Sequence, residues 1–151
     1  MALGENSTRP WNKGSRYLSV LVNKTASDIS MSALAADGSH SSEWIPCAGY
    51  NQATVFVRFY NPTGDASSGD LTFNVEVSND ESTAYGLQTA STSAGAATLS
   101  DVNYTKDTNN AAVDFAVDFP LNYKYFRIAN LSVASGHEDE DIDVEVNLGK
   151  I

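Results

Sequence analysis

A chain of 151 residues with 19 acidic and 9 basic side chains carries a formal net charge of −10, which argues against nucleic-acid binding by the domain as a whole, because phosphate contact rewards positive patches. The length suits one domain with a two-layer core that needs no disulfide or structural metal, and the lone Cys47 excludes an internal bridge, a thiolate zinc cluster and a redox pair. No stretch approaches the roughly 20 apolar residues that span a bilayer, and residues 1–16 lack the apolar run of a secretory signal, so the expectation is a soluble, leaderless protein with no membrane partner.

Residues 1–16 read as a flexible basic arm. They are rich in Gly, Asn, Ser, Thr and Pro, and set Arg9, Lys13 and Arg16 against the single acid Glu5. Termini of this kind fray. The sharper expectation is an arm that orders on a neighbouring acidic subunit, with Trp11 as its anchor, since aromatics are favoured at interface centres. Residues 17–151 then form a single β-domain. Leu18, Val20 and Val22 alternate with Tyr17, Ser19 and Leu21, which predicts a strand. Ile29, Met31 and Ala33 share one face of a second, and Asp37-Gly38 is a residue pair favoured in tight hairpin turns. Ser42 to Ile45 is the expected returning strand, ended by Pro46, which cannot donate to a ladder.

The clearest alternation lies in residues 53–60 and 71–78, joined by the turn-rich segment 61–70. Val55, Val57 and Phe59 fall on one face of the first, and Leu71, Phe73, Val75 and Val77 on one face of the second, while Thr54, Arg58, Thr72, Asn74 and Glu76 point the other way. One buried and one wet face is the pattern of an antiparallel sheet in a β-sandwich. Residues 85–89 predict a short strand, the small-residue stretch 90–97 a flexible loop, and 105–110 a polar turn, whereas 98–104 follows no decisive pattern. Alternation returns in 111–119, with Val113, Phe115, Val117 and Phe119 inside. Residues 123–133 carry bulk on both faces, as a central strand does, and 141–148 close the chain with Ile142, Val144, Val146 and Leu148 on one face. The sum is an all-β, antiparallel β-sandwich or jelly roll of about eight strands.

Chemistry-bearing patterns are sparse. The tract Glu138 to Glu145 reads as a solvated acidic face or edge, with a cation site or a docking surface for a basic partner as the alternatives, because it lacks the glycine-punctuated ligand ladder of an EF-hand. His40 and His137 sit far apart in Gly/Ser-rich turns, and Cys47 has no neighbouring base. No serine lies in a Gly-x-Ser-x-Gly elbow, and no phosphate-cradling glycine motif occurs. The expectation is a non-enzymatic protein with no catalytic residue, metal site or cofactor. Trp11, Trp44, Tyr50, Phe56, Tyr60, Tyr85, Tyr104, Tyr123 and Tyr125 pack within the sandwich or supply a stacking platform for a glycan.

The run Gly49-Tyr50-Asn51-Gln52-Ala53-Thr54-Val55-Phe56-Val57, then Gly69-Asp70-Leu71-Thr72-Phe73-Asn74-Val75-Glu76-Val77-Ser78-Asn79-Asp80, with Tyr123-Lys124-Tyr125-Phe126-Arg127-Ile128 late in the chain, resembles β-sandwich modules of tailed-phage virion proteins and is similar to galactose-binding-like jelly rolls. The resemblance spans residues 47–148. It implies a virion structural protein made in the host cytoplasm, of the capsid decoration or cement type, bound on the outside of a phage head. Its partners would be the major capsid protein or other virion subunits, itself included as a homo-oligomer. On this reading Arg9, Trp11, Lys13 and Arg16 are the docking contacts, motivated by the charge contrast between arm and body. The rival expectation is a carbohydrate-binding module of a fibre or adhesin.

Overall fold

A computed structural model describes residues 16–22, 25–26, 39–60, 70–107, 113–132 and 141–150. These hold twelve strands and no helix: β1 (Arg16–Val22), β2 (Thr25–Ala26), β3 (Ile45–Pro46), β4 (Gln52–Tyr60), β5 (Asp70–Ser78), β6 (Tyr85–Gly86), β7 (Gln88–Ser93), β8 (Ala96–Asp101), β9 (Asn103–Asp107), β10 (Val113–Pro120), β11 (Tyr125–Ser132) and β12 (Asp141–Gly149). One sheet has the order β10-β4-β12-β1-β2. A second has the order β3-β11-β5-β6, with β9 also on β5, and β7 and β8 form a two-stranded sheet of their own. Every pairing is antiparallel.

The alternation explains the layers. Val55, Val57 and Phe59 of β4, Ile142, Val144, Val146 and Leu148 of β12, and Leu18 and Val20 of β1 turn one face of the first sheet inward. Leu71, Phe73 and Val75 of β5, with Phe126, Ile128 and Leu131 of β11, do the same for the second. These side chains form one buried cluster, the core of an antiparallel β-sandwich. Phe119 of β10 meets Phe126 of β11 across the layers, edge to face, with ring centroids 5.5 Å apart.

β4 and β5, the two strands most plainly written in the sequence, are not partners. The chain crosses between the two large sheets from β2 to β3, from β3 to β4, from β4 to β5, from β9 to β10, from β10 to β11 and from β11 to β12, so neighbours in sequence face each other across the core. β11 is central as expected, flanked by β3 and β5. Its register on β5 shifts between Ala129 and Ser132, where Asn130 takes φ of 53°. The extra residue is a bulge that returns Leu131 to the core after Ala129.

Several boundaries differ from expectation. The returning strand of residues 42–45 is a broken edge: a bridge joins His40 to Leu131, and β3 itself is Ile45–Pro46. Pro46 closes the strand from within, tolerated because β3 is an edge and a proline there forgoes no ladder bond. Thr105 to Asp107 belong to β9 and not to a turn. The flexible loop expected over 90–97 is instead the heart of the β7–β8 hairpin, which raises the strand number above eight. The strand expected around Ile29 to Ala33, the Asp37-Gly38 turn, His137 and the acids Glu138 to Glu140 lie outside the described residues.

Candidate functional site

β6 and β9 both run antiparallel to β5 on the same edge, β6 opposite Glu76 and Val77, β9 opposite Asp70 to Asn74. They are two halves of one edge strand, interrupted between Leu87 and Val102. The Leu87 amide donates to Val75 O at 3.3 Å, and the Val102 amide donates to Leu87 O at 2.9 Å, which closes the interruption. Out of this closed gate the β7–β8 hairpin projects. Gln88 pairs with Asp101 and Ser93 with Ala96, leaving Ala94-Gly95 as a two-residue loop. Both loop residues have positive φ, 51° and 80°, the pattern of the type I′ turn whose twist matches a hairpin.

Every residue from Gln88 to Asp101 is exposed, and Leu99 at 67% is among the most exposed large apolar side chains described. The two faces differ in chemistry. Ala90, Leu99, Thr92 and Ala97 share one, with Gln88 and Asp101 hydrogen-bonded to each other at its base; Thr89, Ser100, Ser91 and Thr98 put hydroxyls on the other. No charged residue occurs anywhere in 82–100, in a chain of net charge −10. Proteins ordinarily protect exposed edges with lysine, proline, bulges or cover, and a two-stranded hairpin alone is marginally stable in water. The hairpin contains no lysine or proline and its register has no bulge, and among the described residues no strand pairs with either of its outer edges, which leaves their backbone groups open to an incoming strand.

The outer face of the second sheet is polar and organised. Arg127 reaches Glu76 with Nη2 at 2.6 Å and Nε at 2.7 Å from Oε2, and its guanidinium lies 4.6 Å from the Trp44 ring centroid. Asn74 bonds to Asn103, and Thr72 to Ser132 at 2.8 Å. Asn74, Glu76, Asp101 and Asn130 border a depression of about 190 Å³ at the hairpin base. On the first sheet, Phe56, Arg58, Asp114, Ala116, Asp143 and Glu145 line a shallower outer depression of about 460 Å³, in which Arg58 Nε lies 3.3 Å from Asp114 Oδ1. The acids Asp143 and Glu145 thus stand on a solvent face, opposite Arg58 and Phe56 in the ladder.

Of the four expected docking residues, Arg9, Trp11 and Lys13 lie outside the described residues, and Arg16 is the exposed first residue of β1, opposite Leu148. Trp11 and the Tyr60 side chain lie outside what the structure describes, and the described aromatics do not converge on one platform. Tyr50, Tyr104 and Tyr123 pack against the core, Tyr104 stacking on Phe73 at 5.0 Å, while Phe56 is on one outer face and Trp44 on the other. Cys47 is buried, donates to Tyr123 O at 3.3 Å, and has its thiol pushed up to about 11 by burial. Among the described residues no group of three or more His, Cys, Asp or Glu is placed to hold a metal. The hairpin is the feature that sequence reasoning missed, and its signal was present: Ser and Thr at strand positions, a small residue and glycine at the turn, and the break in charge. Comparison of the chain with protein-family models and with curated proteins finds no match.

Proposed function

We propose that the chain is a non-catalytic virion structural protein, a capsid decoration or cement protein that seats on the outside of a tailed-phage head and stabilises the shell. The observation that carries an assembly role is the β7–β8 hairpin, uncharged from Gln88 to Ser100 and exposed along its whole length beside a well-packed sandwich. Strand addition at an open edge is a common mode of protein recognition. The virion setting rests on the resemblance in residues 47–148, and the partners it names are the major capsid protein and other virion subunits. The basic residues Arg9, Lys13 and Arg16, with Trp11, supply a second docking element in this reading.

The test is to mix the purified chain with undecorated heads and quantify bound copies against the major shell protein. Copies in fixed ratio to the shell lattice, reduced when residues 88–101 are replaced by Asn-Gly or when residues 1–15 are deleted, support the assignment. No binding, or binding indifferent to both changes, rejects it. The glycan-binding alternative is favoured by the depression bordered by Asn74, Glu76, Asp101 and Asn130, because amides and carboxylates are the groups that hold sugar hydroxyls. Glycan-array binding abolished by Asn74→Ala would replace the first reading with this one.

A further inference from the structure

We propose that β7 pairs, edge to edge and antiparallel, with β7 of a second copy, joining two chains in a symmetric four-stranded sheet centred on Ala90. The inference rests on the assembly reading and names the partner of the same hairpin. Three observations select a second copy.

The first is charge. Two bodies of net charge −10 repel, and a basic partner would be drawn to their acids and not to the uncharged segment 82–100. An uncharged edge suits an uncharged strand, and β7 itself, Gln88 to Ser93, is such a strand. The pairing also keeps the bodies apart, since a register centred on Ala90 sets the two hairpin bases four strand residues, about 13 Å, from each other along the strands, beyond the screening length of about 8 Å at physiological ionic strength.

The second is backbone register. With Ser93 and Ala96 closing a two-residue loop, their N–H and C=O groups bond to each other, and so do those of Ser91 with Thr98. Gln88, Ala90 and Thr92 therefore turn their backbone groups outward. An antiparallel pair with a two-fold axis places Ala90 opposite Ala90 of the second copy and Gln88 opposite Thr92 of the second copy. All three outward residues then meet partners of the same kind. β8 is less suited, because Asp101 ends its edge in a carboxylate.

The third is the side-chain row created. Leu99 lies beside Ala90 on one face of the hairpin, so pairing at Ala90 joins Leu99, Ala90, Ala90 of the second copy and Leu99 of the second copy into one apolar stripe across four strands. The assembled sheet passes the three-strand size at which a sheet with an apolar face becomes stable in its own right.

Sedimentation of the full chain over a concentration series should show a species of twice the 16.2 kDa chain mass, and Thr92→Pro, which removes an outward N–H, should return it to monomer. Mild oxidation should link Ala90→Cys chains to each other, because hydrogen-bonded antiparallel partners sit about 5.5 Å apart at Cα, within disulfide range. Thr98→Cys on β8 should stay unlinked. A wild-type chain that is monomeric throughout, or a dimer that ignores Thr92→Pro and cross-links through Thr98→Cys instead, overturns the pairing. Head binding by a strictly monomeric chain would overturn the self-pairing and leave the decoration reading standing. A dimer linked through Ala90→Cys that binds no head would uphold the pairing and overturn the decoration reading.

Discussion

At Asp80 a fully exposed carboxylate accepts from the Thr83 amide at 2.8 Å, the Ser82 amide at 3.0 Å and the Ser78 hydroxyl at 3.0 Å. These donors hold its pKa well below the usual carboxylate range, the Thr83 amide contributing most. The ionised side chain thereby fixes the turn that reverses the chain after β5. Because the folded-state value is depressed, its contribution is complete above the unfolded value of about 3.9 and is lost as pH falls through the folded one. Asp80→Asn should therefore lower the urea midpoint at neutral pH, and the gap from wild type should narrow in the acid range. A gap constant through acid would assign the effect to shape and not to charge. The acceptor role of Asp80 was not legible in the sequence, since it depends on Ser78, Ser82 and Thr83 folding back onto one oxygen.

Among the elements, the hairpin of β7 and β8 is separable from the sandwich. It buries no side chain against either sheet, and the Val102 amide bonded to Leu87 O closes its base. Replacing residues 88–101 with Asn-Gly should leave monomer stability within about 0.5 kcal/mol, as for surface changes away from packed features, measured by urea unfolding at low protein concentration. A larger loss would mean that the hairpin props β6 and β9 on β5. The sequence misled here for a physical reason. Alternation of apolar and polar residues reports a strand with one dry face, and a strand wet on both faces has nothing to alternate. For β4, β5, β10 and β12 the same signal was strong because each has one face in the core. What alternation could not tell was pairing: it identifies the buried face of β4 and of β5 but not that the two faces belong to opposite sheets.

At the scale of the whole molecule, the two layers are joined by side chains from both sheets, with Phe119 against Phe126 as a direct ring contact between them. Phe126 is fully buried, so Phe126→Ala should cost about 3–5 kcal/mol through lost burial and the cavity left behind. Both sheets should melt together, with near- and far-ultraviolet circular dichroism changing in one transition; two separated transitions would show layers that fold independently. The all-β sandwich was legible because its core strands repeat with period two. The candidate site was harder to read, because its signal lies in Ser and Thr at strand positions, the Ala94-Gly95 turn and the gap in charge over 82–100, and in no burial period. That same hairpin makes the chain open to revision by evolution and by design. Since the Val102 amide bonded to Leu87 O closes the base of residues 88–101, the gate tolerates a longer passage at about 0.6 kcal/mol for each doubling of loop length. A foreign peptide inserted at Ala94-Gly95 would sit at the exposed tip of the hairpin while the core remained untouched, which turns the protein into a carrier for displaying unrelated sequences.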